Sequence, residues 1–139
     1  MITPNEREAR FALGDQDSTV GRLASLLKDS CNYKNLILKL GERGIFCLNS
    51  DSETKDAYFS VDSFANNVVD AVGSGDALLA YSTLAMMSTK SLVIASILGS
   101  MAAACECEID GNVPIKTENV LAKIDAVEKY AGYNSDRVI

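Results

Sequence analysis

Apolar positions in this chain follow a helical period at both ends and gather into short unbroken runs around residue 40. Pro4 favours an extended residue before it, and Asn5 is a good N-cap. Glu8 stands three residues on, as in a capping box, ahead of Phe11, Ala12 and Leu13. Gly14 ends this first short helix. Asp17 or Ser18 is expected to cap a second helix, in which Val20, Leu23, Leu26 and Leu27 recur at helical spacing. Asn35 to Leu40 reads as a buried strand ending at Gly41, with Glu42-Arg43-Gly44 as the turn and Ile45 to Leu48 as a second strand. A polar, hairpin-like loop over 50–55 precedes a third short strand, Ala57 to Val61. Long helices are expected from Asp76 to Met87 and from Ser91 to about Cys107. Asp110-Gly111-Asn112 reads as a turn, and Thr117 to Tyr130 as a terminal helix with Val120, Leu121, Ile124 and Val127 on one face.

Strands alternating with helices imply an α/β layered architecture. The 139 residues amount to one domain's worth of chain. An open parallel sheet with so few strands would expose a hydrophobic edge, so the chain is expected to be a fragment or to need a partner. At 47% apolar and 23% charged, the composition is that of a soluble globular protein. The most apolar stretch, Ser91 to Ala104, is broken by Ser96, Gly99 and Ser100 and reads as a buried helix, so no membrane span is expected. A net charge of −6 with scattered Lys and Arg speaks against a nucleic-acid partner. The first residues lack the basic and apolar regions of a signal peptide, which makes a cytoplasmic location the default.

Cys105 and Cys107 lie two apart on an expected helix and point away from each other, and no histidine completes a zinc set. The four cysteines are therefore expected to be buried free thiols. Without histidine, acid–base chemistry must rest on a carboxylate, Lys, Tyr or Cys.

One loop concentrates such chemistry: Asp70-Ala71-Val72-Gly73-Ser74-Gly75-Asp76. Gly73 and Gly75 let backbone approach a ligand closely. The segment that follows is strongly helical, so the amides of Gly73, Ser74, Gly75 and Asp76 would lie at a helix N-terminus and form an anion site. A carboxylate beside such a nest suits removal of a proton from an alcohol attacking a phosphoryl group. An N-capping Asp after a glycine turn is the plain structural alternative. No GK[ST] follows, and Leu78 stands where a dinucleotide fingerprint has its third glycine.

The segment Asp70 to Ala77 resembles the C-terminal DTxGAGD signature of the ribokinase (PfkB) carbohydrate kinases. Thr3-Pro4-Asn5-Glu6-Arg7-Glu8 resembles that family's TPN-x-x-E segment, and Lys39-Leu40-Gly41-Glu42-Arg43-Gly44 its T-x-G-x-x-G nucleotide turn. The three motifs occur in the family's order. The resemblance implies a ribokinase-like three-layer α/β/α fold. Residues 1–139 would form a single partial domain, the C-terminal part of a mostly parallel sheet flanked by helices, with the β-sheet lid absent. It implies an ATP-dependent kinase acting on a sugar or sugar phosphate. Asp76 would be the catalytic base, Gly73, Ser74 and Gly75 the anion hole, and Asn5 and Glu8 the organisers of Mg²⁺ through water.

Gly41, Gly44 and Lys39 would line ATP, and Ser100 on the late helix would contact adenine. Lys39 replaces the usual Thr; it either contacts a phosphate or snorkels out of the strand end, the reading slightly preferred. Ala71 also replaces a Thr, in a neighbourhood where Asp70 and its relatives often hold a monovalent cation. That change argues against K⁺ activation, although backbone carbonyls remain able to bind an ion. Asn67-Val68-Val69-Asp70 and the TPN-x-x-E opening look closest to heptose-phosphate kinases. The family holds its sugar in an N-terminal half that these residues do not resemble, so the chain alone is expected to be inactive and to act as a homo-oligomer or with that missing half. An isolated nucleotide-binding module, or a degenerate kinase serving as an interaction protein, is the alternative.

Overall fold

The computed structural model describes residues 1–50, 57–111 and 113–135, with side chains through residue 132. Part of the polar loop over 50–55, and Asn112 of the 110–112 turn, lie outside the described residues.

Helix α1 (Glu6–Leu13) starts in the expected capping box, with the Asn5 side chain accepting from the Glu8 amide, and it ends at Gly14 in the left-handed region at φ 62°. Helix α2 (Val20–Cys31) is capped by Thr19, not by Asp17 or Ser18. The reason is local competition: Asp15 already accepts from both the amide and the hydroxyl of Ser18, at 3.0 and 2.6 Å.

The sheet holds strands β1 (Asn35–Lys39), β2 (Ile45–Asn49) and β3 (Tyr58–Val61) in that order. Both pairings are antiparallel, with Lys39 opposite Ile45 and Ile45 opposite Val61. This corrects the expectation of a mostly parallel sheet, because the turn between β1 and β2 is far too short for a parallel crossover. Among the described residues, parallel pairing enters only through the segment before α1, where Ile2 bridges Leu36 and Asn5 bridges Lys39.

Alternation along β1 divides the core into two faces. Leu36 and Leu38 pack with Ala9, Leu23, Ala24 and Leu27 of α1 and α2. Ile37, with Ile45 and Cys47 of β2, packs against Leu78 and Leu92 of helices α3 (Ser74–Thr89) and α4 (Leu92–Cys107). Helices therefore cover both faces of the sheet, and a strand buried on both sides reads as the unbroken run Leu36-Ile37-Leu38. At about 25 cal/mol per Å² such burial is the main favourable term holding the layers together.

Helices α3 and α4 approach each other closely at Gly99, where any Cβ would collide with Ser82 Oγ. Helix α5 (Thr117–Ser135) seats Val120 with Met101 and Ala102, and Ile124 and Val127 pack alongside. Leu121 turns outward, 55% exposed, because the adjacent position Val120 takes the buried side of the helix. The cysteines are free but not uniformly buried: Cys47 and Cys105 are buried, Cys107 is intermediate, and Cys31 at the end of α2 is exposed.

Candidate active site

The turn after β1 needs its glycines for different reasons. A short 3₁₀ turn spans Gly41–Arg43, with Gly41 at φ 64° and Gly44 at φ 82°. Beyond that left-handed conformation, Gly44 lies hard against the end of β3, and a Cβ there would strike the Val61 carbonyl oxygen. Arg43 of the turn is ion-paired with Glu6, tying the turn back to α1. Hydrogen bonding from Arg10, with Arg43 adding to it, holds the Glu6 carboxyl below its ordinary range.

The glycine loop is anchored from behind. The amides of Val69 and Asp70 donate to the Cys107 carbonyl at the end of α4, at 2.7 and 3.2 Å. Asp70 Oδ1 accepts from the Val72 amide at 3.0 Å, and the Ser74 hydroxyl donates to the Ala71 carbonyl at 2.8 Å. Gly73, at φ 88°, then caps α3 without any side chain to satisfy the first amides.

The helix begins at Ser74 instead of Asp76, so Asp76 lies in its first turn, exposed. The expected four-amide nest is accordingly smaller. Asp76 N donates to the Gly73 carbonyl at 2.9 Å, and Ser74 N reaches the Ala71 carbonyl loosely at 3.4 Å. Among the described residues the amides of Gly73 and Gly75 donate to nothing. Two free N–H groups at a helix N-terminus are what an anion requires.

Lys39 does not snorkel away. It shares the β1 parity of Ile37 and so faces the α3/α4 side, with its Nζ 2.9 Å from where a Cβ on Gly75 would stand. A cleft of about 720 Å³ opens here, and Lys39, Gly41, Gly44, Ser74 and the buried Ser100 all contribute to its walls. A neighbouring hollow of about 840 Å³ shares Lys39 and Gly41 and adds Asn5 and Arg7. The expected nucleotide residues of β1, the turn, α3 and α4 thus meet in one place, while Asn5 stands across the Lys39 rim from them. Glu8, Asp70, Gly73, Gly75 and Asp76 line neither hollow, and of the expected anion hole only Ser74 reaches the cleft.

One wall escaped sequence reasoning. Ser63, Asn66 and Asn67 of the β3–α3 connection border the cleft, a stretch with no periodicity to flag it. It is held from below: Asn66 N donates to Glu108 Oε1 at 2.8 Å, and the same oxygen accepts from the nearly buried Lys123 Nζ at 2.5 Å. Asn67 stands out in the sequence by its likeness to heptose-phosphate kinases, and the polar Asn-Asn pair before the glycine loop is the signal for Asn66.

Residues 1–116 match the pfkB family carbohydrate kinases. The chain belongs to that family. Among curated proteins, the bifunctional protein HldE of Campylobacter fetus is 32% identical over 108 residues, covering 75% of this chain and 22% of that protein. HldE of Helicobacter acinonychis is 26% identical across 100% of this chain and 32% of its own length. Among solved structures, the ribokinase of Thermotoga maritima superposes with a TM-score of 0.72 at 27% identity, over 88% of this chain and 41% of that one. Phosphofructokinase-2 of Escherichia coli, solved with potassium, gives a TM-score of 0.77 at 18% identity, over 91% of this chain and 40% of that one. The fold is ribokinase-like. This kinase-family chain spans between about a fifth and a third of these curated relatives and about two fifths of the solved ones. No described helix is long and apolar enough to cross a membrane.

Proposed function

We propose that this chain is the nucleotide-binding and phosphoryl-transfer part of an ATP-dependent kinase for a hydroxyl of a sugar or sugar phosphate. The observation that carries the reading is the convergence of the Gly41–Gly44 turn, the α3 N-terminus and Ser100 on one cleft. Its size suits a nucleotide, and it is lined by Lys39, whose ammonium has no partner among the described residues. Gly73, Gly75 and Lys39 would bind phosphate oxygens, with Ser74 at the wall. Ser100 would border the adenine.

Magnesium fits this set as a partner of the phosphates. Among the described residues no three Asp, Glu or Cys side chains converge to cage an ion. The capping box uses Asn5 Oδ1 and Glu8 Oε2 but leaves Glu8 Oε1 open, so Asn5 and Glu8 can serve both the helix and the water shell of a metal. Magnesium bound with ATP would neutralise phosphate charge. Asp76, exposed in the first turn of α3, would take the acceptor's hydroxyl proton. Asp70 would mark a monovalent-cation site, with one of its oxygens also accepting from Val72 N. The likeness of the TPN-x-x-E opening and of Asn67-Val68-Val69-Asp70 to heptose-phosphate kinases favours a heptose phosphate as acceptor. A reducing cytoplasmic setting agrees with four free thiols.

Because the chain covers about two fifths of the solved relatives, it is expected to bind Mg·ATP but to phosphorylate no sugar by itself. Thermal unfolding with and without millimolar Mg·ATP tests the first half, and unchanged melting would refute the nucleotide reading. In the shortest form of the protein that turns over a sugar, Asp76→Asn should abolish turnover and spare ATP binding. Loss of ATP binding instead would remove Asp76 from the base role.

A further inference from the structure

Lys39 stands where elementary electrostatics would not put it. The positive end of a helix dipole repels a cation, and ammonium groups are stabilising at the opposite terminus. Yet the Lys39 Nζ lies beside the first turn of α3, 2.9 Å from a Cβ built on Gly75. It is held there from the backbone. Lys39 N donates to the Pro4 carbonyl at 2.9 Å on one side, and Lys39 pairs with Ile45 of β2 on the other. Both neighbours fix the strand's parity, so the side chain is directed to the α3 face by the sheet itself.

No carboxylate offsets the charge. Among the described residues Lys39 has no ion pair or hydrogen-bonding side chain, and neither Asp70 nor Asp76 pairs with it. Glycine at position 75 is what gives the ammonium its room. The Lys39 ammonium thus stands beside the first turn of α3, where the amides of Gly73 and Gly75 donate to no group among the described residues. Such an arrangement is stabilised only when an anion enters it.

We infer that Lys39 binds the terminal phosphoryl group of the nucleotide and offsets its charge during transfer. This rests on the nucleotide reading above. In the step concerned, the acceptor oxygen forms its bond to the γ-phosphorus as the bond to the β–γ bridging oxygen breaks. ADP leaves with that electron pair, and the acceptor's proton passes to Asp76. Lys39 keeps its proton throughout and contributes charge alone.

Binding of Mg·ATP and of AMP to the 139-residue protein, measured by calorimetric titration, tests the assignment without requiring turnover. Lys39→Met should weaken Mg·ATP by roughly ten- to a hundredfold, the worth of a hydrogen bond to a charged group, and AMP by less than about twofold. Lys39→Arg should recover part of the ATP affinity, and Gly75→Ala should reproduce the loss by displacing the ammonium. Without nucleotide, Lys39→Met should melt at or above the wild-type temperature, because it removes a repulsion. Equal weakening of ATP and AMP together with a lower melting temperature would show a structural lysine and overturn the inference. An unchanged ATP-to-AMP preference would overturn it while leaving the nucleotide reading intact. Failure of the wild type to bind ATP would refute both.

Discussion

Gly99→Ala probes the contact on which the cleft's back wall depends. Gly99 lies on α4 next to Ser100, facing α3. A Cβ at this position collides with Ser82 Oγ and stands 2.9 Å from the Leu78 carbonyl oxygen and 3.2 Å from Ser82 Cβ. The hydroxyl can rotate away, but the carbonyl is helix backbone and moves only if α3 moves. Overpacking of this kind costs about 1–3 kcal/mol, and replacing a helical glycine returns up to about 1 kcal/mol. The net expectation is a loss of about 1–2 kcal/mol, which for a domain of this size lowers Tm by about 3–7 °C.

Ser82 supplies the internal control. Its hydroxyl is buried with no hydrogen-bond partner among the described residues. Ser82→Ala alone should therefore be neutral or stabilising by up to about 1 kcal/mol. In the Gly99→Ala background it should restore about 0.5 kcal/mol more than it gains alone, since it removes one of the clashing atoms. Differential scanning calorimetry of the four proteins measures this cycle. A Gly99→Ala protein melting at or above the wild type, or strict additivity, would show that α3 and α4 do not meet at this glycine.

Gly44→Ala should be more damaging still, by about 3 kcal/mol or more. Its Cβ meets backbone atoms of Val61, Asp62 and Ser63 at a left-handed position, and urea unfolding reads the loss. Asn5→Ala should remove about 1 kcal/mol with the α1 cap, whereas Asn5→Asp should retain most of it; circular dichroism melts compare the two. Burial pushes the Cys47 thiol from 9.0 up to about 12, so its contribution to stability is intact below about pH 9 and is lost as pH rises toward about 12. The slope is at most about 1.4 kcal/mol per pH unit for that one proton, and Tyr33, also pushed up to about 12 by burial, adds its own loss above about pH 10. Urea midpoints from pH 8 to 11 should fall accordingly, and Cys47→Ala should flatten the decline between pH 9 and 10. A thiol reagent should label the exposed Cys31 rapidly and reach the buried Cys47 only on unfolding.

Features written in short-range chemistry were legible in the chain. The Asn5–Glu8 box and the Gly14 stop need only residues within one or two turns, and both occur as expected. The glycine loop also announced itself, since Gly73 and Gly75 flank a helix start. What escaped depends on competition or direction. Thr19 caps α2 because Asp15 had already engaged Ser18, a contest that spacing alone does not rank. Strand direction was misread because apolar runs carry no sign of their pairing partner, although the brevity of the Gly41–Gly44 turn carried that information. The snorkelling reading of Lys39 treated its side chain in isolation. Counting parity from Ile37 would have aimed it at α3.

The capping box has a consequence at the sheet margin. Ile2 and Pro4 turn their hydrogen-bonding groups toward β1, through Ile2 N to Asn35 O, Ile37 N to Ile2 O and Lys39 N to Pro4 O. Outward-facing Asn5 would otherwise offer its amide and carbonyl to a foreign strand. Its amide goes instead to Glu8 Oε2 at 2.7 Å, and its carbonyl accepts from Ala9 N at 3.0 Å. Within residues 2–5 only Thr3 keeps an outward donor and acceptor, too short a template for a stranger to zip onto. The turn that launches α1 thus also seals this border of the sheet against uncontrolled growth.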